Sequence, residues 1–234
     1  MPLEPDRFDA RLAALGPALG LALPPELRSR LIGYLSLIER WTRVYNLTAV
    51  RDPAEMFTHH LLDCLAVVRP LADRVGHPGP RQVLDVGSGA GLPGVVLALL
   101  QPAWQVTCVD AVAKKAGFIR QVAAELGIAN LHAAHGRIEQ PGTLGAGRTF
   151  DLITSRAFAS LHDFTELTRR LRAPTGLWAA MKAHLTDAER AELAADIELF
   201  HVEPLQVPDL DAHRCLVWMR PVPDASKLVA QPRQ

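Results

Sequence analysis

The stretch QVLDVGSGAGLPG, residues 82–94, decides the fold of this chain. Its first residues are typical of a buried β-strand, and an acid, Asp85, stands near the end of that strand. Gly87, Gly89 and Gly91 allow a tight backbone turn and a close approach to a ligand, because no Cβ stands in the way. The apolar run that follows predicts a helix buried against a sheet. Strand, glycine loop and helix in this order predict a binding site for a nucleotide-like ligand.

Two classes of cofactor fit this loop. Gly89, Gly91 and Gly94 match the dinucleotide fingerprint, and Asp110 follows at the distance that this fingerprint requires. We expect Asp110, at the end of the next strand, to accept hydrogen bonds from the two ribose hydroxyls that both cofactor classes carry. A carboxylate at the loop repels a pyrophosphate and attracts the sulfonium and ammonium of S-adenosylmethionine. Asp85 therefore favours S-adenosylmethionine over NAD.

Composition narrows the class of protein. The chain has 234 residues, of which 49% are hydrophobic and 21% charged, a balance typical of a globular protein. No apolar run is long enough to span a membrane, and the N-terminus lacks the pattern of a signal peptide, so we expect a cytoplasmic protein without membrane association. Cys64, Cys108 and Cys215 form no C-x-x-C pair, so we expect no metal site.

The net charge of the chain does not decide whether it binds RNA. The formal net charge is zero, which argues against broad, charge-driven binding of nucleic acid. A local cluster such as Lys114, Lys115 and Arg120 would suffice for an RNA substrate, although a solvated helix face explains these residues equally well.

The periodicity of apolar residues changes once along the chain. Residues 1–76 predict a helical region, residues 77–220 alternate between strands and helices, and residues 221–234 read as a disordered tail. The alternation predicts an α/β fold with a mostly parallel, doubly wound sheet. The predicted strands are 82–86, 104–110, 130–135, 150–155, 177–181 and 214–220, and the predicted helices of this part are one from 93, 113–126, 161–172 and 186–197.

Three further motifs follow predicted strands, where ligands bind in open α/β sheets. They are HGRIE (135–139), SRAF (155–158) and MKAH (181–184). We expect the first to lie beside an adenine and the second to face the transferred methyl group. Arg137, Arg156 and Lys182 are therefore the candidate catalytic residues, and ordinary surface charge is the alternative for each.

Seven motifs together resemble one known family. In chain order they are WTRVYNLTAV, HLLD, LDVGSGAGLPG, VDAVAKK, GRIE, SRAFASL and AMK, and they are similar to the ribosomal small-subunit methyltransferase family RsmG, also called GidB. The resemblance implies a class I S-adenosylmethionine-dependent methyltransferase with an N-terminal helical extension. Its implied reaction is rRNA processing by methylation at N7 of a guanosine in the decoding-region loop of 16S rRNA, on the small ribosomal subunit. It also implies cofactor contacts at Gly87, Leu92, Ile138, Glu139 and Arg156.

The residues are compatible with that reaction. Guanine N7 has a free lone pair and no hydrogen, so the attack needs alignment and desolvation and no dedicated base. We expect Arg156 or Arg137 to bond the carbonyl edge of the base, and Phe158 to stack on it or to pack in the protein. We also expect a monomer, with the helical region serving the RNA and the sheet domain alone holding the cofactor.

Two other functions remain open. One is an NAD-dependent oxidoreductase, which the glycine spacing permits and Asp85 disfavours. The other is a non-catalytic RNA-binding or ribosome-binding module in which the helical region docks and the sheet supports it. The intact glycine loop, with both Asp85 and Asp110, argues against that module.

Overall fold

The computed structural model describes residues 4–76 and 79–223, which fold around one seven-stranded sheet with helices on both faces. The strands are β1 Arg81–Val86, β2 Trp104–Asp110, β3 Leu131–His135, β4 Phe150–Arg156, β5 Arg172–Lys182, β6 Ile197–Leu205 and β7 Arg214–Pro221. The helices are α1 Pro5–Leu15, α2 Pro25–Tyr45, α3 Pro53–Met56, α4 Asp63–Val75, α5 Gly94–Leu100, α6 Ala113–Glu125, α7 Leu161–Thr168 and α8 Asp187–Ala191. Short 3₁₀ turns cover Pro17–Leu19 and Arg169–Leu171, and a π-helical turn covers Phe57–Leu62.

The sheet has the strand order β3-β2-β1-β4-β5-β7-β6. Strands β1 to β5 run parallel, whereas β7 lies antiparallel between β5 and β6. The chain leaves β1 in one direction toward β2 and β3 and then returns to β4 on the other side of β1. This reversal opens a crevice at the carboxyl ends of β1 and β4, where open α/β sheets bind ligands. The predicted fold class, a doubly wound sheet with N-terminal helices, is confirmed.

The N-terminal helices share a core with the sheet. Leu35 of α2, Leu65 of α4 and Val96 of α5 belong to one apolar cluster on one face of the sheet. Phe164 of α7 belongs to a second cluster on the opposite face. The apolar faces of α2 and α4 pack into the same core as the sheet and α5. The helical region before residue 76 therefore has no separate hydrophobic core of its own.

Helix α2 also supports the glycine loop directly. The buried hydroxyl of Tyr34 donates a hydrogen bond of 2.7 Å to the carbonyl of Ala90. Gly91 adopts φ +85°, and a Cβ built there would lie 2.5 Å from a side-chain carbon of Val95 and 3.6 Å from the Tyr34 hydroxyl. The left-handed backbone and the lack of space both require glycine at this position.

The C-terminal half differs from the predicted element pattern, since α7 ends at Thr168 and β5 starts at Arg172 where helix 161–172 and strand 177–181 were predicted, and the largest difference follows residue 186. The predicted helix 186–197 is wrong beyond its first turns, because α8 covers only Asp187–Ala191 and Ile197–Leu205 forms β6. The stretch IELFHV is rich in the β-branched and aromatic residues that strands prefer, and Pro204 is tolerated because β6 is an edge strand. The predicted tail, residues 221–234, is wrong for its first two residues, since β7 includes Pro221 and the amide of Val222 bonds the Asp196 carbonyl at 2.8 Å. Its remainder, from 224, lies outside the described residues.

Replacing Tyr34 by phenylalanine is expected to lower the free energy of unfolding by about 1–3 kcal/mol, because the buried Ala90 carbonyl loses its donor. Urea denaturation measures this change. The matched control is Tyr45→Phe on the same helix, where the side chain is exposed and no loss is expected. Equal stability of wild type and Tyr34→Phe would show that the hydrogen bond does not stabilise the loop.

Candidate active site

A cleft lies at the carboxyl ends of β1 and β2, and we call it the loop cleft. It consists of two adjoining cavities of about 250 Å³ and 140 Å³, which share Gly87 of the glycine loop. Gly87 and Gly89 have φ angles of 65° and 57°. A Cβ at Gly87 would meet no atom within 4 Å, so the backbone here faces open space. A ligand can therefore approach the backbone of the loop closely.

Asp110 ends β2 and lines the larger of these two cavities. Its carboxylate accepts hydrogen bonds from the amides of Gly89, at 2.9 Å, and Val112, at 2.8 Å. A carboxylate offers about four acceptor positions, so two remain for the hydroxyls of a ligand. The predicted role of Asp110 toward a ribose is compatible with this placement.

Asp85 lies beneath the loop and has no exposed surface. One carboxylate oxygen accepts a 2.9 Å hydrogen bond from the amide of Gly94, and the other has no hydrogen-bond partner within the described part of the chain. Burial raises the pKa of this carboxyl to about 7. Asp85 is therefore a mixture of charged and neutral forms near neutral pH, whereas the sequence prediction assumed a full charge. An unpartnered buried oxygen fits a cationic or hydrogen-bonding ligand.

The other predicted cofactor residues divide between the cleft and the protein interior. Ile138 and Glu139 line the larger cavity of the loop cleft, and Leu92 lines the smaller one. The carbonyl oxygens of Ile138 and Glu139 accept hydrogen bonds from Arg170, at 3.3 and 2.8 Å, so this arginine holds the segment in place. Gly91 instead faces the interior, where its role is to make room for Val95.

A third and larger cavity, of about 730 Å³, adjoins the loop cleft at the end of β4. Arg156 and Ala157 line both this cavity and the smaller part of the loop cleft. Ala157 adopts φ +61°, a left-handed conformation that residues other than glycine seldom adopt and that is often found at functional sites. The two binding spaces therefore meet at the strand end that carries SRAF.

Asp63 organises one wall of the large cavity. Its buried carboxylate accepts hydrogen bonds from Arg156, at 3.3 Å, and from Arg214 of β7, at 3.0 Å. Arg156 also donates to the carbonyl of His59 at 2.9 Å. One carboxylate thus fixes two guanidinium groups from distant strands, and the remaining N–H groups can serve a ligand with oxygen acceptors.

Two further groups line the large cavity. His60 lies on the π-helical turn Phe57–Leu62, and its ring nitrogen Nε2 is 2.9 Å from the Thr48 hydroxyl. Burial, with Arg156 nearby, lowers the pKa of His60 to about 4, so the ring is neutral at neutral pH. Lys182 forms an ion pair with Glu189 of α8. The lining of the cavity therefore combines three cations, Arg156, Lys182 and Arg214, with three carboxylates, Glu55, Asp63 and Glu189, and a neutral imidazole.

The structure brings together only part of the predicted catalytic set. Arg156 and Lys182 line the large cavity, whereas Arg137 and Phe158 line the loop cleft at its larger end. Arg137 is exposed and pairs with Glu139 at 3.3 Å. Residue patterns did not identify Arg214. The motif HLLD contained a signal for Asp63, because a buried acid on a helix requires a partner.

The helical region contributes to the loop cleft itself. Leu47 and Thr48, which follow α2, line the smaller cavity beside Gly89. The expectation that the sheet domain alone holds the cofactor stays a prediction, and the position of Leu47 and Thr48 argues against it. Within the described ranges, no helix is long and apolar enough to cross a membrane, and no group of three His, Cys, Asp or Glu residues is arranged to hold a metal ion.

Comparison with known proteins places this architecture among methyltransferases. A sequence profile for the family described as rRNA small subunit methyltransferase G matches residues 28–217. Ribosomal RNA small subunit methyltransferase G of Leptothrix cholodnii is 56% identical over 94% of this chain and 97% of its own length. The protein of the same name from Methylibium petroleiphilum is 54% identical over 91% of this chain and 96% of its own. A SAM-dependent methyltransferase from Aquifex aeolicus shares the fold, with a TM-score of 0.52 and 16% identity over 76% of this chain and 97% of that protein.

Proposed function

The chain belongs to the rRNA small subunit methyltransferase G family, and from this membership we propose that it methylates N7 of a guanosine in the decoding-region loop of 16S rRNA. It is an S-adenosylmethionine-dependent enzyme that acts on small-subunit rRNA. The N7 position follows from the family, and the observation that supports transfer to a base at this site is the shared wall at Arg156 and Ala157, where the loop cleft meets the large cavity. A donor bound in the cleft and a base bound in the cavity meet at this point.

The loop cleft fits S-adenosylmethionine. Asp110 retains acceptor positions for ribose hydroxyls, Ile138 and Glu139 would flank the adenine, and the unpartnered oxygen of Asp85 suits an ammonium, directly or through water. When bound, this cofactor supplies a methyl group that its sulfonium makes electrophilic. Open space at Gly87 lets the backbone approach the cofactor without a clash.

The large cavity fits a reaction that requires no general base. A volume of about 730 Å³ admits a nucleobase that has left its stack. Burial lowers the pKa of His60 to about 4, so this imidazole is a weak base, and Arg156 is a permanent cation that Asp63 holds in place. Arg156 would orient the base through its carbonyl oxygen, leaving the N7 lone pair free to attack. We propose Lys182 as a second ligand of the nucleotide.

The other functions considered are less well supported. An NAD-dependent oxidoreductase would place a pyrophosphate close to the buried Asp85. A non-catalytic binding module would not require an open glycine loop that adjoins a second cavity. We further propose that the enzyme works in the cytoplasm as a monomer, and that residues 1–76 and 77–220 form one catalytic unit.

Binding of S-adenosylmethionine is expected to tighten as the pH rises from 5.5 to 7.5. Burial raises the pKa of Asp85 to about 7, so the carboxyl is mostly neutral at the lower pH and mostly charged at the higher one. The charged form binds an ammonium better, and the affinity can change by up to about tenfold per pH unit below the pKa. Calorimetry at several pH values measures this dependence, which Asp85→Asn should remove.

The control ligand is 5′-methylthioadenosine, which has the adenosine part and no ammonium. Its affinity should not change with pH in this range. A pH-independent affinity of wild type for S-adenosylmethionine would show that Asp85 does not contact the ammonium.

The proposed reaction is tested by mapping the product. Purified enzyme, methyl-labelled S-adenosylmethionine and small ribosomal subunits from cells lacking the enzyme are combined, and the rRNA is digested and analysed by mass spectrometry. We expect one labelled 7-methylguanosine in the decoding-region loop. Label on an exocyclic amine, a ribose or another region of the rRNA would contradict the proposal.

A further inference from the structure

The exposed apolar residues are concentrated at one place. Among the described residues, the exposed large hydrophobic side chains are Val44, Tyr45, Val112 and Val222, with exposed fractions of 67%, 47%, 39% and 49%. The first two end α2, and Val112 immediately precedes α6. Lys114 joins the two segments, because its ammonium donates a 3.1 Å hydrogen bond to the carbonyl of Tyr45. We call Val44, Tyr45 and Val112 the rim patch.

The ring of Tyr45 is held in a fixed position. It packs against Trp41 one helical turn earlier, with ring centroids 4.9 Å apart, and Trp41 packs in turn on Phe118 of α6, at 5.3 Å. Phe118 is fully buried. A tyrosine ring supported from behind and open in front loses little conformational entropy when a planar group stacks on it.

The charge around the rim patch is positive. Arg43 and Lys114 are exposed beside it, and Arg51 lies close by because its guanidinium bonds the side chain of Asn46, the residue after Tyr45. Glu39 pairs with Arg43 and its side chain is only 13% exposed, so the guanidinium faces outward, while the net positive charge beside the patch comes from Lys114 and Arg51. Cations around a stacking surface complement a polyanion whose planar groups are accessible.

The rim patch borders the candidate active site. Asn46 ends α2 in a left-handed conformation with φ 51°, which turns the chain toward the loop cleft. The next two residues, Leu47 and Thr48, line the smaller cavity of that cleft. On the other side, Ala111 lines the larger cavity and precedes Val112. A strand of nucleic acid that delivers a base to the large cavity can therefore pass over the rim patch.

We propose that the rim patch binds the single-stranded RNA that flanks the target nucleotide, with one base stacked on Tyr45. This proposal rests on the proposed function and adds a binding surface to it. Lys114 and Arg43 contact the phosphates on either side of the stacked base. The surface accepts any base, because every base presents a π-face.

The test uses a pair of opposite charges at one position. Val44→Glu and Val44→Lys both alter a largely exposed side chain, so neither removes core packing. Steady-state methylation of deproteinised 16S rRNA and of small ribosomal subunits gives KM for each substrate. Val44→Glu should raise both KM values roughly fivefold, and Val44→Lys should leave them equal or lower. The matched control is the same pair at Val222, outside the patch, where the two charges should give equal KM values.

A second pair of variants tests the stacked ring. Tyr45→Ala should raise KM for RNA by roughly five- to hundredfold, whereas Tyr45→Phe should change it by less than about twofold, because stacking needs the ring and not the hydroxyl. Calorimetry should give the wild-type affinity for S-adenosylmethionine in all four variants, which establishes that they are folded. Ultraviolet cross-linking should join RNA to residue 45 in the wild type.

Each contrary outcome has a distinct meaning. Equal KM values for Val44→Glu and Val44→Lys would overturn the rim patch as an RNA surface, while a wild-type enzyme that methylates N7 would still uphold the proposed function. A difference seen on assembled subunits but not on deproteinised rRNA would overturn it in favour of a ribosomal protein. Dimerisation of the wild type that Val44→Glu abolishes, with KM unchanged, would overturn it in favour of a second copy of the chain.

Discussion

Replacing Asp63 by alanine is expected to lower kcat/KM for rRNA by about 10²-fold or more. The buried carboxylate is the common partner of Arg156 and Arg214, and its removal leaves two guanidinium groups without their counter-charge. A shift of about 1 Å in a group that orients the substrate is enough for a loss of this size. Single-turnover methylation measures the rate, and urea denaturation should show a loss of about 3–5 kcal/mol.

The control for this variant lies on the same helix. Asp73 pairs with Arg69 at 2.6 Å in an exposed ion pair, so Asp73→Ala should change stability by less than about 0.5 kcal/mol and leave activity unchanged. Asp63→Glu should recover part of the rate, because it restores the charge at a slightly different position. Affinity for S-adenosylmethionine should change little. Wild-type rates in Asp63→Ala would show that Arg156 is positioned by other contacts.

Replacing Gly94 by alanine is expected to destabilise the protein by about 2–4 kcal/mol and to weaken cofactor binding. A Cβ at this position would lie 2.3 Å from the sulfur of Cys108 and 2.8 Å from a carboxylate oxygen of Asp85. Neither neighbour can move far, because both are fully buried. The clash also separates the Gly94 amide from the Asp85 carboxylate that it bonds. Thermal and urea denaturation measure the loss.

Gly117 provides the opposite case within a helix. A Cβ there would meet no atom within 4 Å, so Gly117→Ala in α6 should stabilise the protein by about 0.5–1 kcal/mol. Adding Cys108→Ala to Gly94→Ala should recover part of the lost stability, because the nearest clashing atom is removed. If Gly94→Ala is as stable as wild type, the predicted clash of a Cβ at residue 94 with Cys108 and Asp85 does not occur.

The spacing of apolar residues along the chain was sufficient to predict those strands of the sheet whose pattern differs clearly from that of a helix. The strand predicted over 104–110 is observed as Trp104–Asp110, and the glycine loop lies at the strand end where it was expected. The error at β6 has a local cause, since a capping box at Thr186 and Glu189 starts a helix and the residues after it continue a helical spacing. The tertiary pairing of β6 with β7 overrides this tendency.

The active site was harder to predict because its contacts are distant in sequence. Asp63 lies 93 residues from Arg156 and 151 residues from Arg214, and no local pattern encodes such pairs. The raised pKa of Asp85 depends on burial that only the folded structure provides. Arg137 was assigned by its place after a strand, yet strand order decides which cavity a strand end faces, and β3 lies at the far edge of the sheet.

The insertion of β7 between β5 and β6 has a consequence for the order in which the site is assembled. Arg214, a partner of Asp63, begins this strand, so the wall of the substrate cavity is complete only once β7 has paired with both of its neighbours. A chain in which β1 to β5 are paired and β7 is not would therefore have the glycine loop without the finished wall for the substrate.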